Sequence, residues 1–196
     1  MDRTAVIDAR LEAHLDTLTR IARDAEGKAA IAAVIEDLAT CFRNGGRVYF
    51  CGNGGSAADA QHLAAEFSGR FYLDRPVLPS EALHCNTSYL TAVANDYGYR
   101  EVFARIISGI GNKGDILVGL STSGNSENIV RAFEVCRAKG VRTIAMTGAS
   151  GGRMKALADR AICVPSTDTP RIQEAHITIG HIICEQVEQA IFGEKA

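Results

Sequence analysis

A chain of 196 residues has the length of one domain and can bury a sizeable core. With 46% hydrophobic and 22% charged residues and a net charge of −2, it has an ordinary globular make-up and no broad basic surface to hold nucleic acid. No apolar run reaches the length of a membrane span and the first ten residues lack the apolar core of a signal peptide, so neither nucleic acid nor a membrane is an expected partner.

Ile7, Leu11, Leu15, Leu18 and Ile21 recur at helical steps, which predicts an amphipathic helix over 3–23. Residues 28–43 repeat the pattern with Ile31, Val34, Ile35, Leu38, Cys41 and Phe42, giving an antiparallel helical hairpin over 3–43 joined by 24–27. The first stripe is narrow and stands before any strand, which suits contact with another subunit and equally packing on the chain's own sheet. After Gly45-Gly46 the pattern changes to strand–helix alternation. Val48–Cys51 is a buried strand and 56–68 its helix; 71–80, with two prolines, is a loop. Ala82–Cys85 is a short strand, and Ser88–Ala94 and Val102–Ile110 are helical. Asp115–Leu120, Val141–Met146 and Ala161–Val164 are further strands, separated by helices at Ser126–Lys139 and 153–159. Gln173–Phe192 is a long helix. This alternation predicts an α/β fold with a parallel sheet of about five strands, covered on both faces. The six cysteines (41, 51, 85, 136, 163 and 184) form no CxxC pair and lie mostly in apolar segments, as buried reduced thiols of a cytoplasmic protein would.

Two turns read as anion cradles. Gly52-Asn53-Gly54-Gly55 follows the first strand with almost no side chains, so backbone amides can approach a ligand. Ser56 opens the next helix with Asp59 three residues on, a capping-box pattern. Unpaired amides and the helix dipole make such a start a site for an anion. The second turn, Ser121-Thr122-Ser123-Gly124-Asn125-Ser126, packs hydroxyls at the carboxyl end of a parallel strand, where such sheets present ligands. Hydroxyls and helix-terminal amides suit a phosphate monoester, whose ionised oxygens only accept hydrogen bonds. The plainer reading is that Ser126 caps its helix and the rest is a solvated turn. No lysine follows the glycines, which argues against a nucleoside-triphosphate loop. Gly52-x-Gly54-x-x-Ala57 also fits a dinucleotide turn, but the acid at the expected distance, Asp74, sits in a loop and not at a strand end.

The reactive groups lie on two helices. His62 and Glu66 are four residues apart, about 40° around a helix, so they share a face. On the last helix, Gln173 and His181 share a broad face and His176 lies to the other side of Gln173; helix geometry does not choose between the two histidines. His14 and His84 belong to no constellation and read as structural.

Taken in order, Cys51-Gly-Asn-Gly-Gly-Ser56, His62-x-x-x-Glu66, Ala94-Asn95-Asp96-x-Gly98, Ser121-Thr-Ser-Gly-Asn-Ser126 and Arg171-Ile-Gln-Glu-x-His176-x-x-x-x-His181 resemble the sugar isomerase (SIS) family along nearly the whole chain. The likeness is to its members that interconvert ketose and aldose forms of seven-carbon sugar phosphates. The resemblance implies one SIS domain over 1–196, a three-layer sandwich preceded by the hairpin. It implies substrate contacts from Asn53, Gly54, Gly55, Ser56, Glu66, Asn95, Asp96, Ser121, Thr122, Ser123, Ser126 and Gln173. Of these, Ser56 and the 121–126 hydroxyls would hold phosphate. It implies zinc, one per subunit, on His62, Glu66, Gln173 and His181, with Glu66 as base and His181 as acid. The implied reaction takes D-sedoheptulose 7-phosphate to D-glycero-D-manno-heptose 7-phosphate through an enediol, in a homotetramer with sites at subunit contacts. Ala65 departs from relatives that carry an acid there, and 165–170 has no assigned role. Zinc on Glu66 would make it a poorer base, so the metal either displaces that role or polarises the carbonyl. Two other readings are a non-catalytic SIS scaffold for a DNA replication initiator protein and a sugar-phosphate-binding or regulatory module. Glu66 and His181 together argue against the first, and the full His62, Glu66, Gln173, His181 set against the second.

Overall fold

A computed structural model describes residues 2–193. The elements are α1 (Arg3–Arg23), α2 (Ala25–Arg43), β1 (Val48–Gly52), α3 (Gly55–Ser68), β2 (Ser80–Ala82), α4 (Thr87–Tyr97) and α5 (Val102–Ile110). They continue with β3 (Ile116–Ser121), α6 (Glu127–Lys139), β4 (Arg142–Thr147), α7 (Gly152–Leu157), β5 (Arg160–Cys163) and α8 (Thr169–Phe192). The strands form one five-stranded parallel sheet in the order β2-β1-β3-β4-β5.

Side chains alternate across this sheet and both faces are buried. Val48, Phe50, Ile116, Val118, Leu120, Ile144 and Met146 face α2, α3 and α8, whose Val34, Leu38, Leu63, Phe67, Ile179 and Val187 fill that layer. Tyr49, Cys51, Leu117 and Ala145 face the opposite layer, built on Val93, Phe103, Ile107, Ile129 and Phe133 of α4, α5 and α6. The helix after β1 therefore lies on one face and the helix after β3 on the other. Where neighbouring strands send their helices to opposite faces, a crevice opens at their carboxyl ends. Here that point lies between β1 and β3, and each of the two glycine- and hydroxyl-rich turns follows one of these strands.

Several boundaries differ from the expectation. α2 starts at Ala25, so Asp24 alone separates it from α1. β2 spans Ser80–Ala82, not Ala82–Cys85: its ladder with β1 runs from Val48↔Ser80 to Phe50↔Ala82. Leu83 still donates to the Phe50 carbonyl at 2.9 Å, then the chain turns away to the Asn86 cap of α4, leaving Cys85 exposed, unlike the buried Cys41, Cys51, Cys136 and Cys184. α8 starts at Thr169, a turn before Gln173, because Pro170 suits a first helical turn, where its missing N–H costs nothing. α1 buries only Thr17 and leaves Ile7, Leu11 and Leu15 at 58%, 58% and 61% exposure. It is tied to α8 by His14 Nδ1 and Glu174 Oε2 at 2.8 Å and by Arg171 donating to the Arg10 carbonyl. No helix among the described residues is long and apolar enough to cross a membrane.

Candidate active site

Both helices that start at the crevice lack a side-chain cap. α3 begins at Gly55 after Gly54, whose φ of 56° lies in the left-handed region that favours glycine. Ser56 is thus inside the helix, buried, and the capping box expected from Ser56 and Asp59 does not form. With no side chain in competition, the first amides of α3 stay available to an anion. Ser126 is the N-cap of α6, but its hydroxyl does not cap. It lies 2.8 Å from Ser121 Oγ, which is also 3.4 Å from Ser123 Oγ. The plain capping reading of Ser126 is therefore overturned: three hydroxyls gather at the carboxyl end of β3. Thr122, half-buried, adjoins them and its carbonyl accepts from Gly148 N–H.

An amide pair links the two turns. Asn53 Nδ2 donates to Asn128 Oδ1 at 3.0 Å, Asn128 Nδ2 donates to Asn53 Oδ1 at 2.9 Å, and the Tyr99 hydroxyl donates to the same Asn53 oxygen at 3.0 Å. Asn128 is buried in the first turn of α6. Neither Asn128 nor Tyr99 was expected at the site: a polar residue in a helix start and a lone tyrosine after a glycine carry no sequence signal, and only the strand order brings them to Asn53. Asn95 and Asp96, exposed at the end of α4, hydrogen-bond each other at 2.9 Å, and Tyr99 carries their segment toward Asn53.

The reactive groups converge where α3 and α8 pack side by side. His62 Nε2 lies 2.8 Å from His181 Nε2 and 3.2 Å from Glu66 Oε1, and one donor atom of each residue lies within 4.8 Å of the other two. The edge of a tetrahedron of ligands at about 2.1 Å from zinc is about 3.4 Å; the His62–Glu66 spacing of 3.2 Å is close to that edge, and the two imidazoles at 2.8 Å would have to part by about half an ångström to take such an ion. The Phe71 ring stacks on His181 with centroids 5.7 Å apart and planes at 29°. Asp59, one turn before His62, has Oδ2 buried without a partner; burial pushes its carboxyl up, and His62 partly opposes this.

Gln173 lies elsewhere. Its amide packs on Gly55, where a Cβ would come within 2.7 Å of Nε2. That puts it at the start of α3, about 12 Å along α8 from His181. His176 is fully buried, its Nε2 at 3.2 Å from the Thr147 carbonyl, and burial holds its pKa down at about 4. The choice that helix geometry left open thus falls to His181 as the histidine beside His62 and Glu66. His84 Nδ1 is buried without a partner.

Comparison with known proteins agrees with this architecture. The SIS domain model matches residues 12–148. A phosphoheptose isomerase of Aneurinibacillus thermoaerophilus is 50% identical over 189 residues, 96% of either chain. Phosphoheptose isomerase 2 of Campylobacter jejuni is 58% identical over 153 residues, covering 78% of this chain and 76% of the relative. The solved structure of a phosphoheptose isomerase from Francisella tularensis matches with a TM-score of 0.92 at 35% identity, over 96% of this chain and all of that one. The chain belongs to the SIS domain family and is an aldose–ketose isomerase of the phosphoheptose isomerase group.

Proposed function

We propose that the chain converts D-sedoheptulose 7-phosphate to D-glycero-D-manno-heptose 7-phosphate through an enediol. The observation that carries this reading is the convergence of His62, Glu66 and His181 on one side of a helix whose uncapped start adjoins the crevice. His62 lies seven residues after Gly55, about 10 Å along α3. A sugar held by its terminal phosphate at the helix start must therefore be long enough to bring its first carbons to the far cluster. A seven-carbon chain suits this span better than a short one.

In this mechanism the amides of Gly54 and Gly55, the hydroxyls of Ser56, Ser121, Thr122, Ser123 and Ser126, and the start of α6 bind the phosphate. Asn53, Asn95, Asp96 and Gln173 orient the sugar hydroxyls; the contact of Gln173 with Gly55 supports this substrate role. Glu66 removes a proton from C1, the C1–H electrons form the C1=C2 bond, and His181 gives a proton to the C2 oxygen. The enediol then collapses: O1 gives its proton to His181, which restores that ring, C1 becomes the aldehyde carbon, and Glu66 returns a proton to C2. The Phe71 ring shields one side of His181 from water. His62, Glu66 and His181 would hold one zinc ion per subunit; Gln173, which the resemblance adds as a fourth ligand, stands at Gly55, about 12 Å along α8 from His181, and serves the substrate instead. When bound, zinc would supply Lewis acidity toward the sugar carbonyl. The assembly is the homotetramer that the resemblance implies, in the cytoplasm; the exposed Ile7–Leu11–Leu15 stripe supports contact between copies.

The test is to incubate purified protein with D-sedoheptulose 7-phosphate and follow the aldose by NMR, beside Glu66→Gln and His181→Gln. Parent turnover with loss in both variants is the expected result. Undiminished turnover in either variant removes its assigned role, and no turnover in the parent, with and without zinc, favours the scaffold reading.

A further inference from the structure

Arg75 and Glu188 form an ion pair at 2.9 Å with side chains only 2% and 0% exposed. Neither was singled out by the sequence, yet the remaining bonds of the pair lead to the candidate active site. Arg75 donates to the carbonyls of Glu66 at 2.8 Å, Phe67 at 2.7 Å and Gly69 at 3.2 Å. These belong to the end of α3, where helix carbonyls lack intrahelical partners. The Glu188 carboxylate accepts from the amides of Phe71, Tyr72 and Leu73 at 3.2, 2.8 and 2.9 Å. Three amides and one guanidinium N–H thus meet a group that only accepts. Burial alone would push the Glu188 carboxyl up, but the bonds from Leu73, Phe71, Arg75 and Tyr72 outweigh it, and its pKa lies below the ordinary value.

The geometry has a direction. Glu188 sits seven residues after His181 on α8, two turns on and on the same face. The turn it gathers puts the Phe71 ring on the His181 imidazole, while Arg75 fixes the helix end that carries Glu66. A buried ion pair is weak evidence for stability, because well-packed apolar residues often do as well. What apolar residues cannot do is orient three amides and three carbonyls at once.

We propose that Arg75 and Glu188 are positioning residues for the isomerisation, acting through Phe71 on His181 and through the end of α3 on Glu66. This rests on Glu66 and His181 being the proton-transfer pair. The experiment compares full-length Glu188→Gln, Phe71→Leu and Phe71→Tyr with Glu66→Gln and His181→Gln, measuring kcat, KM, thermal melting and amide hydrogen exchange over 69–75. Glu188→Gln sets an NH2 against N–H donors, so exchange at 71–73 rises and kcat falls about 10- to 100-fold with KM little changed. Phe71→Leu leaves the clamp intact and gives the same loss in kcat at a melting temperature near the parent's, while Phe71→Tyr, which keeps the ring, retains turnover. A merely structural pair would lower the melting temperature and leave kcat per folded molecule alone. If Glu188→Gln does not fold, Phe71→Leu decides. Unchanged kcat in Phe71→Leu, with Glu66→Gln and His181→Gln inactive, overturns the positioning role and leaves the assignment of the pair intact. Full turnover in Glu66→Gln or His181→Gln overturns that assignment, and the positioning role with it.

Discussion

The side-chain amides of Asn53 and Asn128 hydrogen-bond each other in both directions across the crevice, at 3.0 and 2.9 Å. The pair uses one Asn53 N–H and, with Tyr99, both lone pairs of its oxygen. One N–H remains for a sugar hydroxyl. Asn128→Ala should free the Asn53 amide to rotate and leave a polar group unpaired. Stability should fall by about 1–3 kcal/mol in denaturant titrations, and KM should rise more than kcat falls.

Removing the proposed proton carriers should act on kcat. Positioned general acids and bases contribute about 10²- to 10⁴-fold, so Glu66→Gln and His181→Gln should each lose that much turnover in the NMR assay. Both variants should keep the parent's melting temperature to within a few degrees, since each group lies partly open to solvent.

Zinc titrated into metal-free protein should bind one ion per chain by calorimetry. Loss of an outer partner of a ligand typically costs about 10- to 100-fold in affinity. His62→Ala removes a proposed ligand outright and should cost more. Equal affinity in His62→Ala and the parent would place the ion elsewhere.

His176 should make the fold acid-sensitive. Its ring stays neutral in the native state to about pH 4, against an ordinary value of 6.5, because burial disfavours the charged form. The unfolded chain takes up the proton that the fold refuses. Stability is therefore full above 6.5 and falls as pH drops from there toward about 4. The loss should reach about 3 kcal/mol. Denaturant midpoints measured across this window should flatten in His176→Phe, whatever that substitution costs at neutral pH.

The apolar stripe of α1 should hold copies of the chain together. Leu11→Asp combined with Leu15→Asp should lower the mass seen by analytical ultracentrifugation from the assembly toward the monomer. Leu11 and Leu15 make little contact with the chain's own core, so the secondary structure should survive.

The sheet was largely legible before the structure. Asp115–Leu120 and Val141–Met146 read as strands through their apolar stretches, Ile116–Leu120 and Ile144–Met146, which are continuous because both faces are covered, and this is why parallel strands can be found without alternation. The edge strand was misplaced because Ser80 and Glu81 are polar and only half of an edge need be apolar. The two uncapped helix starts were legible as glycine and hydroxyl clusters, but that no hydroxyl caps them was not, since Ser126 fits either role until its neighbours are known. Helix spacing put His62 and Glu66 on one face, and only the family resemblance gave them roles. His181 could not be told from His176 by angle alone; the difference is that His176 faces Thr147 of β4 and His181 faces α3. Asn128 and Arg75 were invisible because each acts with a partner 75 or 113 residues away in sequence, respectively, and no periodicity records such a pair.

A Cβ added at Gly180 would lie 2.5 Å from Leu63 Cδ2, and these two residues stand directly beside His181 and His62. The seam between α3 and α8 and the gap between the two imidazoles are thus a single dimension, set by one hydrogen atom where other residues carry carbon. Added bulk at that seam would be felt first as altered chemistry and only then as lost stability. At this position the choice of side chain is as much a matter of reactivity as of packing.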